Sequence, residues 1–187
     1  LLEGHAERCE RSPEYLGREV RTVGCKRAAV NLENQRVFLF GVEAGGLDDP
    51  SLDLEIIGPL PSDIRVNYHV TGGEVRGPRI RGKLRPVGGD WLTVRADGVA
   101  VLDVRATLET FDGALIDVVY NGILDLGPDG HAAVLRGELP ELAKIRTAPR
   151  LRTSSSKYEW VNRAQFVGIG EGKLRENFVT YDLYALR

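Results

Sequence analysis

Residues 102–120 read LDVRATLETFDGALIDVVY, and this stretch decides the fold. Leu102, Val104, Ala106 and Leu108 alternate with Asp103, Arg105, Thr107 and Glu109. That period of two puts one set of side chains on each face of a β-strand. Asp112-Gly113 follows, a dipeptide that favours a tight hairpin turn, and Ala114 to Tyr120 returns from it. If Asp112-Gly113 is a two-residue turn, Phe111 faces Ala114 and Arg105 faces Tyr120. Asp103, Arg105, Thr107 and Tyr120 then share one face. Leu102, Val104, Ala106, Leu108, Leu115 and Val119 share the other, with Asp117 and Asn121 as exceptions. A four-residue turn keeps these parities, whereas an odd-length loop reverses them.

The same punctuation recurs on both sides. Ile64, Val66, Tyr68 and Val70 alternate with Arg65, Asn67 and His69 and stop at Gly72-Gly73. His131 to Leu135, Tyr158 to Val167 and Phe178 to Leu186 are further strand candidates, rich in aromatic and β-branched residues. Only Leu139 to Lys144 reads as helical. Without crossover helices a parallel sheet is disfavoured. Many short strands with frequent turns point to an all-β antiparallel sandwich or barrel. A closed or nearly closed barrel is expected, because closure removes sheet edges. Pro13, many charges and weak periodicity mark residues 1–36 as a short irregular or helical extension, and 37–187 as the barrel domain. Within the latter, Val37-Phe38-Leu39-Phe40 adds a strand.

Composition narrows the function classes. The 187 residues carry 25 Lys and Arg against 27 Asp and Glu, a net charge of −2. Nucleic-acid binders show a basic excess, so nucleic acid is not an expected partner. No apolar run approaches the roughly 18 residues that cross a bilayer, so no membrane partner is expected either. Leu1-Leu2-Glu3-Gly4-His5 shows no basic region followed by an apolar stretch. A signal peptide is therefore not expected, and a cytoplasmic setting is. Cys9 and Cys25 form no Cys-x-x-Cys pair. They read as two free thiols or as one disulfide.

The residues reached so far resemble a known family. Gly72-Gly73, then Gly77-Pro78-Arg79-Ile80-Arg81-Gly82, then Gly88-Gly89-Asp90-Trp91 look like the opening of domain-of-unknown-function family 3237. Val94-Arg95-Ala96-Asp97-Gly98, Leu102-Asp103-Val104-Arg105 and Asp112-Gly113-Ala114-Leu115-Ile116 resemble its middle. Arg146-Thr147 with Pro149, Tyr158-Glu159-Trp160-Val161-Asn162-Arg163, Phe166-Val167-Gly168 and Tyr181-Asp182-Leu183-Tyr184 resemble its C-terminal part. The resemblance runs in order from about Leu52 to Arg187. It implies a small β-barrel, similar in shape to the barrels of allene oxide cyclases and dirigent proteins. That wider group includes cofactor-independent cyclases and isomerases, although a shared fold is only an analogy for function.

Several motifs carry less than they suggest. Gly168-Ile169-Gly170-Glu171-Gly172 lacks the following helix that a phosphate loop needs and reads as a hairpin loop. Arg79, Arg81, Lys83 and Arg85 share one parity and read as a solvated outer face. His5, His69 and His131 have no ligand spacing. No metal or nucleotide cofactor is expected.

The hairpin supplies the candidate catalytic group, Asp103, Arg105 and Tyr120. In solvent these side chains are worth little. In a lumen, Tyr120 or Asp103 moves a proton and Arg105 stabilises developing negative charge. Trp91, Arg95, Tyr158, Trp160 and Asn162 are candidate substrate contacts, with Trp160, Asn162 and Phe166 sharing parity as an aromatic wall. The leading expectation is an isomerase, cyclase or lyase working without cofactor on a small molecule. The alternatives are a non-catalytic small-molecule-binding barrel and a structural homo-oligomer. Two or more ionisable groups converging on an open cavity favour the enzyme, an apolar cavity favours the binder, and a filled lumen favours the structural option.

Overall fold

The computed structural model describes residues 36–43, 54–176 and 178–186. Residues 1–35, with Cys9, Cys25 and His5, lie outside them. The chain forms β1 (Arg36–Glu43), β2 (Leu54–Pro59), β3 (Asp63–His69), β4 (Gly72–Arg76), β5 (Gly82–Arg95), β6 (Val99–Thr110) and β7 (Leu115–Asp125). A short helix α1 (Gly130–Leu135) leads to β8 (Ala143–Thr147), β9 (Arg150–Arg152), β10 (Gln165–Lys173) and β11 (Phe178–Leu186). All strands belong to one antiparallel sheet. Among the described residues, no helix is long and apolar enough to cross a membrane.

The pairings run round a ring: β5, β4, β1, β11, β10, β8, β7, β6 and back to β5. The expected barrel is present, but it is not evenly closed. β4 pairs with β5 only at Gly82 and Lys83, whereas β3 pairs with it from Gly89 to Arg95. β3 and β4 thus share one edge of β5, and β2 continues outward from β3 as an edge strand. The strand expected at Val37–Phe40 is β1, which joins β4 to β11.

The long strand β5 stays in phase across a bulge. Leu84 pairs with Leu108 and Gly88 with Ala106, so Arg85, Pro86 and Val87 stand opposite Thr107 alone. Pro86 has no N–H to offer a ladder, so a bulge suits it. Two extra residues leave the parity unchanged. Leu84, Leu92 and Val94 all turn into the core with Leu102, Val104, Ala106 and Leu108 of β6.

The central hairpin corrects the expected turn. Glu109 pairs with Leu115 and Val104 with Tyr120, leaving Phe111, Asp112 and Gly113 as a three-residue loop. The Thr110 N–H donates to the Ala114 carbonyl at 2.9 Å, and the Gly113 N–H to the Thr110 carbonyl at 2.9 Å. Gly113 closes the loop at φ 83°, a conformation that glycine adopts without strain. The Thr110 hydroxyl anchors this loop, donating to Asp112 and accepting the Ala114 N–H at 2.9 Å. The odd length reverses the parities. Tyr120 joins the inward set with Ile116 and Val118, and Asp103 and Arg105 go to the outer face.

Three local expectations also change. His131–Leu135 is helical, because His-Ala-Ala-Val-Leu is too short for apolar pattern to separate strand from helix. Leu139–Lys144 is not a helix; it holds Pro140 and runs into β8. The run Tyr158–Val167 divides into a 3-10 turn (Glu159–Arg163) and the start of β10. Gly168 to Gly172 lie inside β10 rather than in a loop. A Cβ on Gly168 would sit 2.1 Å from the Thr147 hydroxyl, and one on Gly170 2.0 Å from the Thr180 carbonyl and 2.7 Å from the Tyr181 ring. These glycines let neighbouring strands and Tyr181 approach closely.

Candidate functional site

The register lines up one level of the barrel. Tyr68 of β3 pairs with Asp90 of β5, Asp90 with Val104 of β6, and Val104 with Tyr120 of β7. Directly paired residues have Cβ atoms about 5 Å apart on the same face. Tyr68, Asp90, Val104 and Tyr120 therefore form a row across four strands, facing the lumen. Tyr181 of β11 meets the end of that row. Its ring stands edge-on to Tyr120 with centroids 5.9 Å apart, and the Tyr120 hydroxyl donates to the Tyr181 hydroxyl at 3.3 Å.

These groups line a cavity of about 70 Å³. The rest of its wall is apolar, including Leu84, Leu92, Leu102, Leu124 and Ile145. It reaches Leu174, Phe178 and Val179, whose half-buried side chains lead outward at the end of the barrel away from the hairpin loop. His69 also lies on the wall, its ring 3.5 Å from the Glu55 carboxylate.

Burial sets the electrostatics. The Asp90 carboxyl is pushed from 3.8 up to about 7, chiefly because its surroundings are poor in water. The Asp103 N–H, donating to Asp90 Oδ1 at 2.9 Å, opposes the rise. The Asp103 carboxylate adds to it, and the Arg65 charge reduces it. Burial likewise holds the Tyr120 hydroxyl well above its ordinary range, with Tyr181 and Asp90 adding to the effect. Tyr181 is pushed up by burial, partly offset by the bond from Tyr120. Tyr68 is raised by burial and then by Asp90. The tyrosines therefore stay protonated and act as donors, while the carboxyl changes charge near neutrality.

The structure brings one of the three expected catalytic side chains, Tyr120, to this cavity. Asp103 and Arg105 form an ion pair at 3.3 Å on the outer face, with side chains 41% and 55% exposed. The Arg105 guanidinium lies 5.3 Å from the Trp91 ring, so Trp91 is on that face too. Asp103 hydrogen-bonds to the site through its backbone N–H, and its carboxylate acts on Asp90 by charge alone. Arg95 is exposed and pairs with Asp97.

Tyr158, Trp160 and Asn162 sit at the hairpin end. Tyr158 donates to Asp112 at 3.0 Å, and Lys157 pairs with the same carboxylate. Arg79 stacks over Trp160 at 3.5 Å. The Asn162 amide bonds the Thr153 N–H at 2.8 Å and its carbonyl at 2.9 Å. Tyr158 and Lys157 thus tie the β6–β7 loop to the segment before β10. Of the expected aromatic wall, Trp160 packs against the buried Phe166 with ring centroids 6.0 Å apart, away from the cavity lining. Lys83 and Arg85 are exposed beside Glu109, as a solvated outer face requires.

Asp90, Tyr68 and Tyr181 complete the cavity and were not singled out from the sequence. A signal was available. Asp90 shares parity with Leu92 and Val94, so it is a lone carboxylate on an apolar inward face. Tyr181 shares parity with Leu183 and Ala185 in the same way.

Residues 44–186 match the family described as "Protein of unknown function (DUF3237)". The chain belongs to this family. A DUF3237 relative, the UPF0311 protein of Rhodopseudomonas palustris strain TIE-1, is 32% identical over 140 residues, covering 73% of this chain and 86% of the relative. A crystal structure described as a β-barrel-like protein, from Acinetobacter baumannii AYE, is 28% identical with a TM-score of 0.64. That match covers 82% of this chain and 94% of the other. A crystal structure described as an enzyme, from Penicillium herquei, is 22% identical with a TM-score of 0.55 and covers 81% of this chain and 92% of the other. At that identity the likeness is one of fold.

Proposed function

We propose that the protein is an isomerase, cyclase or lyase that acts on a small organic molecule by acid–base chemistry of its own side chains. The observation that carries this reading is the convergence of Asp90 with Tyr120 and Tyr181 on an apolar cavity. The Asp90 carboxylate removes a proton from a carbon beside a carbonyl group. The released electron pair moves onto the carbonyl oxygen, where phenol hydroxyls donate to the developing oxyanion. Protonated Asp90 then returns the proton to a different carbon, which isomerises the substrate. Alternatively, the enolate carbon attacks an electrophilic double bond of the same molecule, whose displaced electron pair takes the proton from Asp90 and so closes a ring. In a lyase, the enolate expels a β-leaving group that departs with its bonding pair and the Asp90 proton. A carboxyl that ionises near pH 7 suits both halves of this cycle, since base and acid forms are both populated. The barrel shared with a protein described as an enzyme admits catalysis but does not argue for it.

The test is proton exchange in D₂O, followed by NMR over a panel of neutral enolisable ketones. The wild-type chain is expected to speed exchange at the α-carbon, with a rate rising as pH passes through about 7. Asp90→Asn is expected to lose the acceleration by about 10²-fold or more. Ketones that bind without any accelerated exchange would leave the other reading, a non-catalytic binding barrel.

A further inference from the structure

We propose that the cavity selects an uncharged ligand, a compact carbonyl or hydroxyl compound with a hydrocarbon body, and rejects carboxylates and phosphates of the same shape. This rests on the acid–base reading of the same site and names the substrate class that reading leaves open.

The wall itself points to this class. Among the described residues that line the cavity there is no Arg or Lys. Its polar groups are phenol hydroxyls, the Asp90 carboxyl and, turned towards Glu55, the His69 ring. The strands that build the wall do carry cations, but they stand elsewhere. Arg95 and Arg105 are exposed on the outer face, and Arg65 donates to the Trp91 carbonyl. Lys83 and Arg85 also project outward, beside Glu109. The alternation that sends Leu84, Asp90, Leu92, Val104 and Tyr120 inward sends those cations outward, so the sorting is a property of the whole wall.

An anion that enters such a space loses its hydration and finds no Arg or Lys among the described wall residues to pair with, the Arg65 charge being felt only as a smaller effect on Asp90. It also faces the Asp90 carboxylate, whose repulsion is felt strongly away from water. A neutral carbonyl oxygen has neither difficulty. Phenol hydroxyls are suitable donors to it, and the leucines and Ile145 take the hydrocarbon part. The lack of a guanidinium matters equally, since the bidentate fork that proteins use for carboxylate and phosphate is missing from the wall.

The experiment uses two probes of nearly the same shape, acetophenone and benzoate, titrated into the ¹⁵N-labelled full chain at pH 8. Shifts of amides around Asp90, Val104 and Tyr120 report binding. The expected result is acetophenone bound at least about tenfold more tightly than benzoate, the discrimination that one unpaired charge easily exceeds. Tyr181→Phe is expected to weaken acetophenone by about fivefold, the loss of one neutral hydrogen bond. Benzoate bound as well as acetophenone overturns the proposal, as does acetophenone that shifts no resonance at the cavity. The comparison on the wild-type chain needs no variant, so a substitution that fails to fold does not shield the idea. Its failure is also separable from that of the catalytic reading. Benzoate preference refutes the ligand class, while binding of acetophenone without exchange on any ketone refutes only the chemistry.

Discussion

Replacing Asp90 with Asn should make the protein more stable at alkaline pH and remove much of its pH dependence. Asp90 ordinarily ionises at 3.8 but holds its proton to about 7 in the folded chain. Between those values the native state binds more protons than the unfolded state, so stability falls as pH rises through the window. Below 3.8 both states carry the proton and nothing is lost. Above 7 the cost is complete. At about 1.4 kcal/mol per tenfold change, the rise corresponds to about 4 kcal/mol. Asp90 is only part-buried at the cavity wall and keeps the Asp103 N–H, so screening brings the expected figure nearer about 2 kcal/mol. The Asn side chain retains an oxygen to accept that N–H and has no charge to bury. Urea unfolding at pH 4 and pH 8, which span the window, measures the effect. The wild-type chain should lose about 2 kcal/mol more than Asp90→Asn over that interval. Equal losses would refute the reasoning, as would an Asp90 carboxyl carbon that titrates below pH 5 by NMR.

Gly170→Ala should destabilise the fold by about 1–3 kcal/mol, because the added methyl would meet the Thr180 carbonyl at 2.0 Å and the Tyr181 ring at 2.7 Å. A thermal melt checks this, and a melting temperature equal to wild type contradicts the packing described. Arg105→Ala should change stability by less than about 1 kcal/mol and leave acetophenone binding unaltered, since the Asp103 pair is exposed. Loss of binding in that variant would return Arg105 to the site.

Much of the barrel was legible because alternation is a local property. Ile64, Val66, Tyr68 and Val70 point inward or outward together whatever their partners are. The site was harder to read, because it depends on one count across a turn. Asp112-Gly113 suggested a two-residue loop. Thr110 instead pulls the strands together one residue earlier and makes the loop odd. That single residue exchanged Asp103 and Arg105 for Leu102 and Val104 as the lumen neighbours of Tyr120. Asp90 was hidden differently. Gly88 and Gly89 precede it and a proline bulge interrupts β5, so the inward parity running from Leu84 to Leu92 is masked. Tyr181 belonged to a strand that was recognised, but nothing local shows that β11 stands across the lumen from β7.

The hydrogen-bonded brace of Thr110, Asp112, Lys157 and Tyr158 has a consequence for how such a chain diversifies. Those hydrogen bonds and ion pairs brace the floor of the barrel, away from Leu174 and Phe178 at the opposite rim. Substitutions at the rim leave that brace intact, since Leu174 and Phe178 touch none of its hydrogen bonds or ion pairs. Libraries that randomise the half-buried Leu174 and Phe178 while keeping 110–114 and 157–163 fixed should therefore yield many folded members. A lineage can vary one rim of the barrel while inheriting an unchanged base.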